Sequence, residues 1–247
     1  MLKQIVFSLS ILLSFQVFAG NSTNDSFSQS KKHLKEVYAD HRETIYCKAK
    51  FNTDNTIILP EGFETKSHQK RSKRIEWEHI VPAENFGRTF SEWRDGHPDC
   101  VDSKGKNFKG RKCAEKVNYE YRLMQADMHN LFPAIGSVNA KRSNFNFVEL
   151  TSNTPNSFGS CAMKIQDKKA EPPHYAKGVI ARTYFYMEDA YPRYKISHKM
   201  RKMLQVWDKE HPVDNWECER AKKIEKIQGN SNNIVKNKCI ERNLWQH

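Results

Sequence analysis

Six cysteines, all placed behind an apolar leader, constrain this chain more than any other feature. They are Cys47, Cys100, Cys113, Cys161, Cys218 and Cys239. The leader, MLKQIVFSLSILLSFQVFA, sets Lys3 ahead of an apolar run and ends in Val17-Phe18-Ala19, with small residues where a signal peptidase reads. Ser8, Ser10, Ser14 and Gln16 interrupt the run, which is short for a membrane span, and no later segment is long and apolar enough to cross a bilayer. Residues 1–19 therefore read as a signal peptide, and the remainder as a soluble, exported chain. In an oxidising compartment an even cysteine count favours three disulfides over free thiols. Cys100 and Cys113 bracket a loop rich in Gly, Lys and Asp and read as a local staple. The pairing of Cys47, Cys161, Cys218 and Cys239 stays open. A zinc site built on His97, Cys100 and Cys113 competes with this reading, but no C-x-x-C element supports it.

The formal net charge of +12 includes Lys3, which leaves +11 on the exported part. A basic exported protein suits anionic partners such as nucleic acid, anionic lipid or polysaccharide, although solubility alone could account for the charge. About 228 residues after the leader fit one domain, and no linker, repeat or low-complexity tract divides them. The expected organisation is a flexible polar leader over 20–30, GNSTNDSFSQS, followed by a single domain over 31–247. Asn21-Ser22-Thr23 matches a glycosylation sequon, a short motif that commonly arises by chance.

Leu34, Val37, Tyr38, His41 and Ile45 recur at helical spacing and predict a helix over 31–46. Ile57-Ile58-Leu59 suggests a short strand, and Ile75 to Ile80 a longer one that ends ahead of Pro82. Val117, Tyr121, Met124, Met128 and Leu131 predict one helix from Glu115, stopped by Pro133. Helices are expected over 178–190 and 196–208. A last one is capped by Asp214 and closed at Gly229. The fold class is α+β, helix-rich, with few strands.

Two short stretches could carry chemistry: Glu78-His79 at the strand end, and Asp127-Met128-His129-Asn130. Phosphodiester hydrolysis needs a base for water, charge stabilisation at phosphorus and neutralisation of the departing oxyanion. A neutral histidine can take the proton near pH 7, and a hard divalent ion prefers carboxylate and amide oxygens. Glu78 and Asn130 offer one of each. Successive side chains on a strand point to opposite faces, so a bend before Pro82 is expected to bring Glu78 and His79 to one cleft. Taken singly, Glu76, His97, His174 and His198 read as ordinary surface or core residues. Asn130 could be a helix C-cap, and His129 could favour the same helix end.

The blocks WEHIVPAENFG, MQADMHNLFPAIGSVNAKRSNFNF and WECERAKKIEKIQGNSNNIV are similar, in order and spacing, to those of the bacterial endonuclease I family of exported nucleases. The resemblance covers most of the chain after the leader. It implies a ββα-metal (His-Me finger) active site and non-specific cleavage of DNA, often also RNA. It further implies disulfides, a periplasmic or secreted location and one divalent ion, usually magnesium. Matched residue by residue, His79 is implied as the general base, Glu78 as a metal ligand and Asn130 as the second. The family also places a phosphate-stabilising arginine after the FG of the first block; Arg94 is the first choice here and Arg88 the second. Relatives commonly read C-x-C where this chain has Cys47-Lys48-Ala49, so their disulfide set does not carry over.

DNA is expected to be held through its phosphates by Lys104, Lys106, Lys109, Arg111 and Lys112 of the stapled loop, with Lys141 and Arg142 beyond it. The loop could equally be a solvated excursion. A monomer without membrane contact is expected. Two other classes remain to be weighed. One is a non-catalytic nucleic-acid-binding protein on a nuclease scaffold; the other is a glycosidase using Glu76 and Glu78 as its acid pair.

Overall fold

The computed structural model describes residues 19–245. The expected signal peptide thus lies outside the described residues, apart from Ala19. In chain order the helices are α1 (Phe27–Val37), α2 (Ala83–Gly87), α3 (Ser91–Arg94), α4 (Arg111–Val117), α5 (Tyr119–Ala126), α6 (Gly136–Arg142), α7 (Lys177–Ala190), α8 (His198–Glu210), α9 (Asn215–Gln228) and α10 (Asn233–Glu241). The strands are β1 (Lys50–Phe51), β2 (Ile57–Ile58), β3 (Ile75–His79), β4 (Leu131–Ile135), β5 (Asn146–Phe147), β6 (Lys164–Gln166) and β7 (Lys169–Glu171). They form small sheets ordered β1-β2, β3-β4 and β5-β7-β6. The protein is a mixed α+β fold in a single domain.

Its centre is a ββα unit. β3 and β4 run antiparallel in the register Ile75–Ile135 to His79–Leu131, and α6 begins at the residue after β4. Alternation along β3 decides what each face meets. Ile75 and Trp77 pack with Leu34 and Val37 of α1, with Tyr38 just beyond it and with Ile224 of α9. Phe132 and Ala134, opposite Glu78 and Glu76, join the larger core with Val138 of α6. Gly136 sits where a side chain could not, since a Cβ there would lie 2.4 Å from the Arg71 carbonyl oxygen. That contact lets α6 press against the segment leading into β3.

The structure corrects four expectations. First, residues 20–30 are ordered: Asn21 is only 3% exposed, and its Nδ2 donates to the carbonyls of Asn24 and Leu123. Thr23 Oγ1 donates to the Gln228 carbonyl, and Asp25 pairs with Arg122 at 2.8 Å. Small polar residues here satisfy buried backbone groups instead of meeting water. Second, α1 starts at Phe27, capped by Ser26, and ends at Val37, so His41 and Ile45 lie beyond it. The Ile45 N–H donates to the Pro133 carbonyl, and a turn closed between Thr44 and Ala49 aims Cys47 at Cys161. Tertiary contacts override the helical spacing there.

Third, the single helix expected from Glu115 is broken twice. Asn118 takes an extended conformation and caps α5 through the Tyr121 N–H. A 3-10 turn at Met128–Asn130 then leads into β4, so Pro133 lies inside a strand instead of stopping a helix. It is tolerated because the Pro133 position faces away from β3, its carbonyl serving Ile45, and no ladder hydrogen bond is lost. Fourth, α10 follows Gly229 without having been anticipated; the Cys218–Cys239 disulfide ties it to α9. The later helices agree with their spacing, and Asp214 caps α9 while Gly229 closes it at φ +82°.

The remaining bridges are Cys100–Cys113 and Cys47–Cys161, and no free cysteine is found among the described residues. The zinc alternative at Cys100 and Cys113 is thereby removed, because both sulfurs are spent. By loop length alone, closing 13 and 114 residues is worth roughly 3 and 5 kcal/mol respectively.

Candidate active site

An open cleft of about 790 Å³ runs along β3, bordered by Ile75 to His79, by α1 on one side and by the start of α2 and the end of α6 on another. Among the described strands β3 pairs only with β4; beyond the Ile75 N–H, which donates to the Asn55 carbonyl, its other edge borders this cleft. No bend is needed: the strand continues regularly through His79. Glu78 and His79 point to opposite faces, and both reach the cleft around that free edge.

His79 is 7% exposed, with its ring 5.0 Å from Phe27 of α1 and 6.2 Å from Phe86. Its Nε2 lies 2.9 Å from the Gln125 carbonyl oxygen. A carbonyl only accepts, so Nε2 carries the proton and Nδ1 keeps its lone pair. Burial, reinforced by the positive charge of Arg111 and Arg142, lowers the pKa of His79 to about 3. The imidazole is thus held neutral with an available Nδ1, the form a general base requires.

Glu78 is held by an interior network. Its Oε1 accepts from Tyr46 Oη at 2.9 Å and from Arg142 Nη1 at 2.9 Å. Arg142 also donates to the carbonyls of His79 and Ile80 and stacks 4.4 Å from the Phe147 ring centroid. Burial pushes the Glu78 carboxyl up, opposed by Arg142 and Tyr46, while burial keeps the Tyr46 phenol firmly protonated as a donor. Glu78 Oε2 accepts no hydrogen bond among the described residues. The expectation that Arg142 contacts DNA is corrected here: it is fully buried and serves Glu78. Lys141 lies over Phe158 and does not border the cleft.

Asn130 does not reach the cleft either. It is fully buried, and its amide clamps Val81: Oδ1 accepts from the Val81 N–H at 2.8 Å, and Nδ2 donates to the Val81 carbonyl at 3.0 Å. Both polar ends are consumed, which leaves no oxygen to face a cation. A second asparagine takes the position expected of it. Asn139 of α6 borders the cleft, and its Nδ2 donates to Glu76 Oε2 at 3.0 Å. A carboxylate accepts only from the NH2 end, so Glu76 fixes the amide's orientation and leaves Oδ1 free. Arg71 in turn holds Glu76 through a two-pronged ion pair. Glu76, read from sequence as an ordinary strand glutamate, is therefore part of the cleft. The glycosidase pairing fails on the same facts, since Glu76 and Glu78 are each tied to their own arginine.

The arginine at the cleft is Arg111, at the start of α4. Its guanidinium lies 5.5 Å from the Phe27 ring that covers His79. Arg94 instead donates to the Arg88 carbonyl, and Arg88 pairs with Glu84; neither borders the cleft. Arg111 was expected among the DNA-holding residues of the stapled loop, and of that group it alone borders the cleft. Lys104, Lys106, Lys109 and Lys112 are exposed and stand off the cleft. The loop is folded on itself, with Asp102 accepting from the backbone N–H of Lys104 and Lys106.

Glu78 Oε2 and Asn139 Oδ1 form a pair of unpartnered hard oxygen donors on one cleft. That donor set suits a divalent cation such as magnesium, with water and phosphate oxygens completing the shell. No cluster of three or more His, Cys, Asp and Glu side chains able to hold a metal occurs among the described residues.

Comparison with known sequences identifies the family. The Endonuclease I family model matches residues 14–239. The chain is 36% identical over 240 residues to an extracellular deoxyribonuclease of Aeromonas hydrophila, covering 94% of this chain and 96% of that protein. It is 37% identical to an endonuclease-1 of Buchnera aphidicola subsp. Baizongia pistaciae, covering 98% of each chain. A periplasmic deoxyribonuclease of Aeromonas hydrophila is 35% identical, with 87% of this chain and 86% of that protein covered. On the matched extent of the chain and these identities, the protein belongs to the endonuclease I family.

Proposed function

We propose that this protein is an exported endonuclease, periplasmic or secreted, that hydrolyses the phosphodiester backbone of DNA, with RNA as a second substrate. The observation that carries the reading is His79: its Nε2 proton is committed to the Gln125 carbonyl, leaving Nδ1 as a neutral base beside Glu78. His79 takes the proton of the attacking water. Arg111 donates to the non-bridging oxygens, where negative charge grows in the transition state. Glu78 and Asn139 would hold one divalent ion, with magnesium the expected metal, and Glu76 keeps the Asn139 oxygen turned toward it. Bound there, the ion supplies positive charge for the phosphorus centre and for the departing oxyanion. Phosphate contacts read no base edges, which accounts for an activity without sequence preference.

The test is plasmid nicking by purified mature protein. Wild type should nick with magnesium and stop in excess chelator. His79→Ala should lose roughly 10²- to 10⁴-fold in rate while remaining folded. A wild-type rate for His79→Ala would remove the base, and full activity in chelator would remove the cation. DNA binding without any cleavage in magnesium would return the protein to the class of non-catalytic nucleic-acid binders.

A further inference from the structure

We propose that α1 is the strand-binding wall of the cleft, with Lys31, Lys32 and Lys35 taking the sugar-phosphate backbone of one nucleic-acid strand on its way from the scissile phosphate. The proposal rests on the nuclease reading above and assigns the substrate contact to an element that the stapled loop had been expected to supply. All three lysines border the same cleft as Glu78 and His79. None has a carboxylate within 4 Å among the described residues; the loop lysines Lys104, Lys106, Lys109 and Lys112 share that state, and what sets the three apart is their place on the cleft. Lys31 and Lys35, one helical turn apart, repel by a few tenths of a kcal/mol, which an anion from outside would relieve; Glu36 of the same helix makes no ion pair with Lys32 among the described residues. Lys31 and Lys35 are separated by about 6 Å along the helix, enough to meet more than one phosphate of a strand.

The wall is also held in place. Ser26 caps α1, and Ser30 Oγ donates to the Ala126 carbonyl. Leu34, Val37 and Tyr38 anchor the helix against Trp77 of β3 and Ile224 of α9. Lys31 Nζ sits 4.8 Å from the Phe27 ring centroid, with Arg111 5.5 Å from the same ring. The cationic track therefore runs from α1 to the arginine beside the base. Across the cleft, the Glu84 carboxylate is occupied by Arg88 and Asn144 and presents no free negative charge to a phosphate.

The experiment measures binding apart from cleavage. Full-length mature His79→Ala protein is titrated into labelled duplex DNA in chelator, by anisotropy, between 50 and 200 mM salt. Adding Lys31→Gln, Lys32→Gln and Lys35→Gln should lower the slope of log K against log salt by about 2 to 3. Binding at 50 mM salt should weaken at least tenfold. Lys32→Gln with Lys35→Gln alone, which leaves Lys31 on Phe27, should give about two thirds of that slope change. With His79 restored, the triple variant should raise KM and leave kcat within twofold. An unchanged slope, or a loss seen only on replacing Lys104, Lys106 and Lys109 by Gln, would overturn the proposal. If wild type binds with the predicted slope but never nicks DNA, the nuclease reading fails and the binding wall stands.

Discussion

β4 has an asparagine at either end of its connections, and the two regions use that residue in opposite ways. In the turn that leads into the strand, Asn130 spends both ends of its amide on the Val81 backbone. In the helix that leaves it, Asn139 spends only its NH2, on Glu76, and keeps its oxygen for the cleft. Two arginines divide in the same way. Arg142 is buried and satisfies Glu78 and two backbone carbonyls; Arg111 is exposed on the cleft wall. Residue type and proximity in sequence do not separate structural from chemical duty. Whether the side chain presents an unpartnered polar atom to the cleft does.

The sharpest way to break this division is to truncate the arginines. Arg142→Ala leaves the Glu78 carboxylate buried without its partner, and denaturant titration should show a loss of about 3–5 kcal/mol. A loss below about 1 kcal/mol would mean that Arg142 is not the interior clamp described. Arg111→Ala should leave stability within about 0.5 kcal/mol while lowering kcat by roughly 10²- to 10³-fold. Arg94→Ala should change neither quantity; if it behaves as Arg111→Ala should, the cleft arginine is wrongly assigned.

The asparagines and their neighbours give smaller effects. Asn130→Ala strands the Val81 N–H and carbonyl in the interior and should cost about 2–4 kcal/mol of stability. Asn139→Ala should cost less than about 1 kcal/mol. Glu76→Gln can present either end of its amide to Asn139, so the fixed orientation is lost. Calorimetry should then show magnesium or manganese affinity falling by about 10- to 100-fold, and unchanged affinity would take Glu76 out of the site.

A pH-dependent effect concerns His129, which is buried with Nδ1 unpartnered and its pKa lowered by burial to about 4. Between pH 6.5 and 4 the unfolded chain takes up a proton at this histidine and the native chain does not. Stability is therefore lost as pH falls through that window, by up to about 1.4 kcal/mol per pH unit from this group. His129→Asn should flatten the dependence by that amount in urea titrations between pH 7 and 4.5. An unaltered slope would mean that His129 ionises freely in the native protein.

Much of the frame was legible in the sequence for physical reasons. Glu78 and His79 stood in a short alternating strand before a proline, and Asp214 and Gly229 marked the ends of α9 through ordinary capping chemistry. The Cys100–Cys113 staple followed from its short loop. Three things were hidden. The spacing of Val117, Tyr121, Met124 and Met128 imitates one long helix, because a 3-10 turn and a cap at Asn118 keep apolar side chains nearly in phase. That disguise placed Asn130 on a helix and concealed that the helix of the ββα unit begins at Gly136, where Asn139 lies. Arg111 was read as one of several DNA-holding residues of the stapled loop, and the length of that loop obscured its place beside His79. The lysines of α1 were obscured by distance, since nothing in residues 26–37 reveals that the helix will lie along β3.

The assignment of the two asparagines is the centre of the account, and divalent-cation titration of Asn139→Ala beside Asn130→Ala tests it most directly. Calorimetric titration with manganese at pH 7 and a temperature where both variants are folded should show affinity lost in Asn139→Ala. Asn130→Ala should keep it within about threefold, because its oxygen never faces the cleft. Wild-type affinity in Asn139→Ala together with loss in Asn130→Ala would contradict the account and return the cation to the turn before β4.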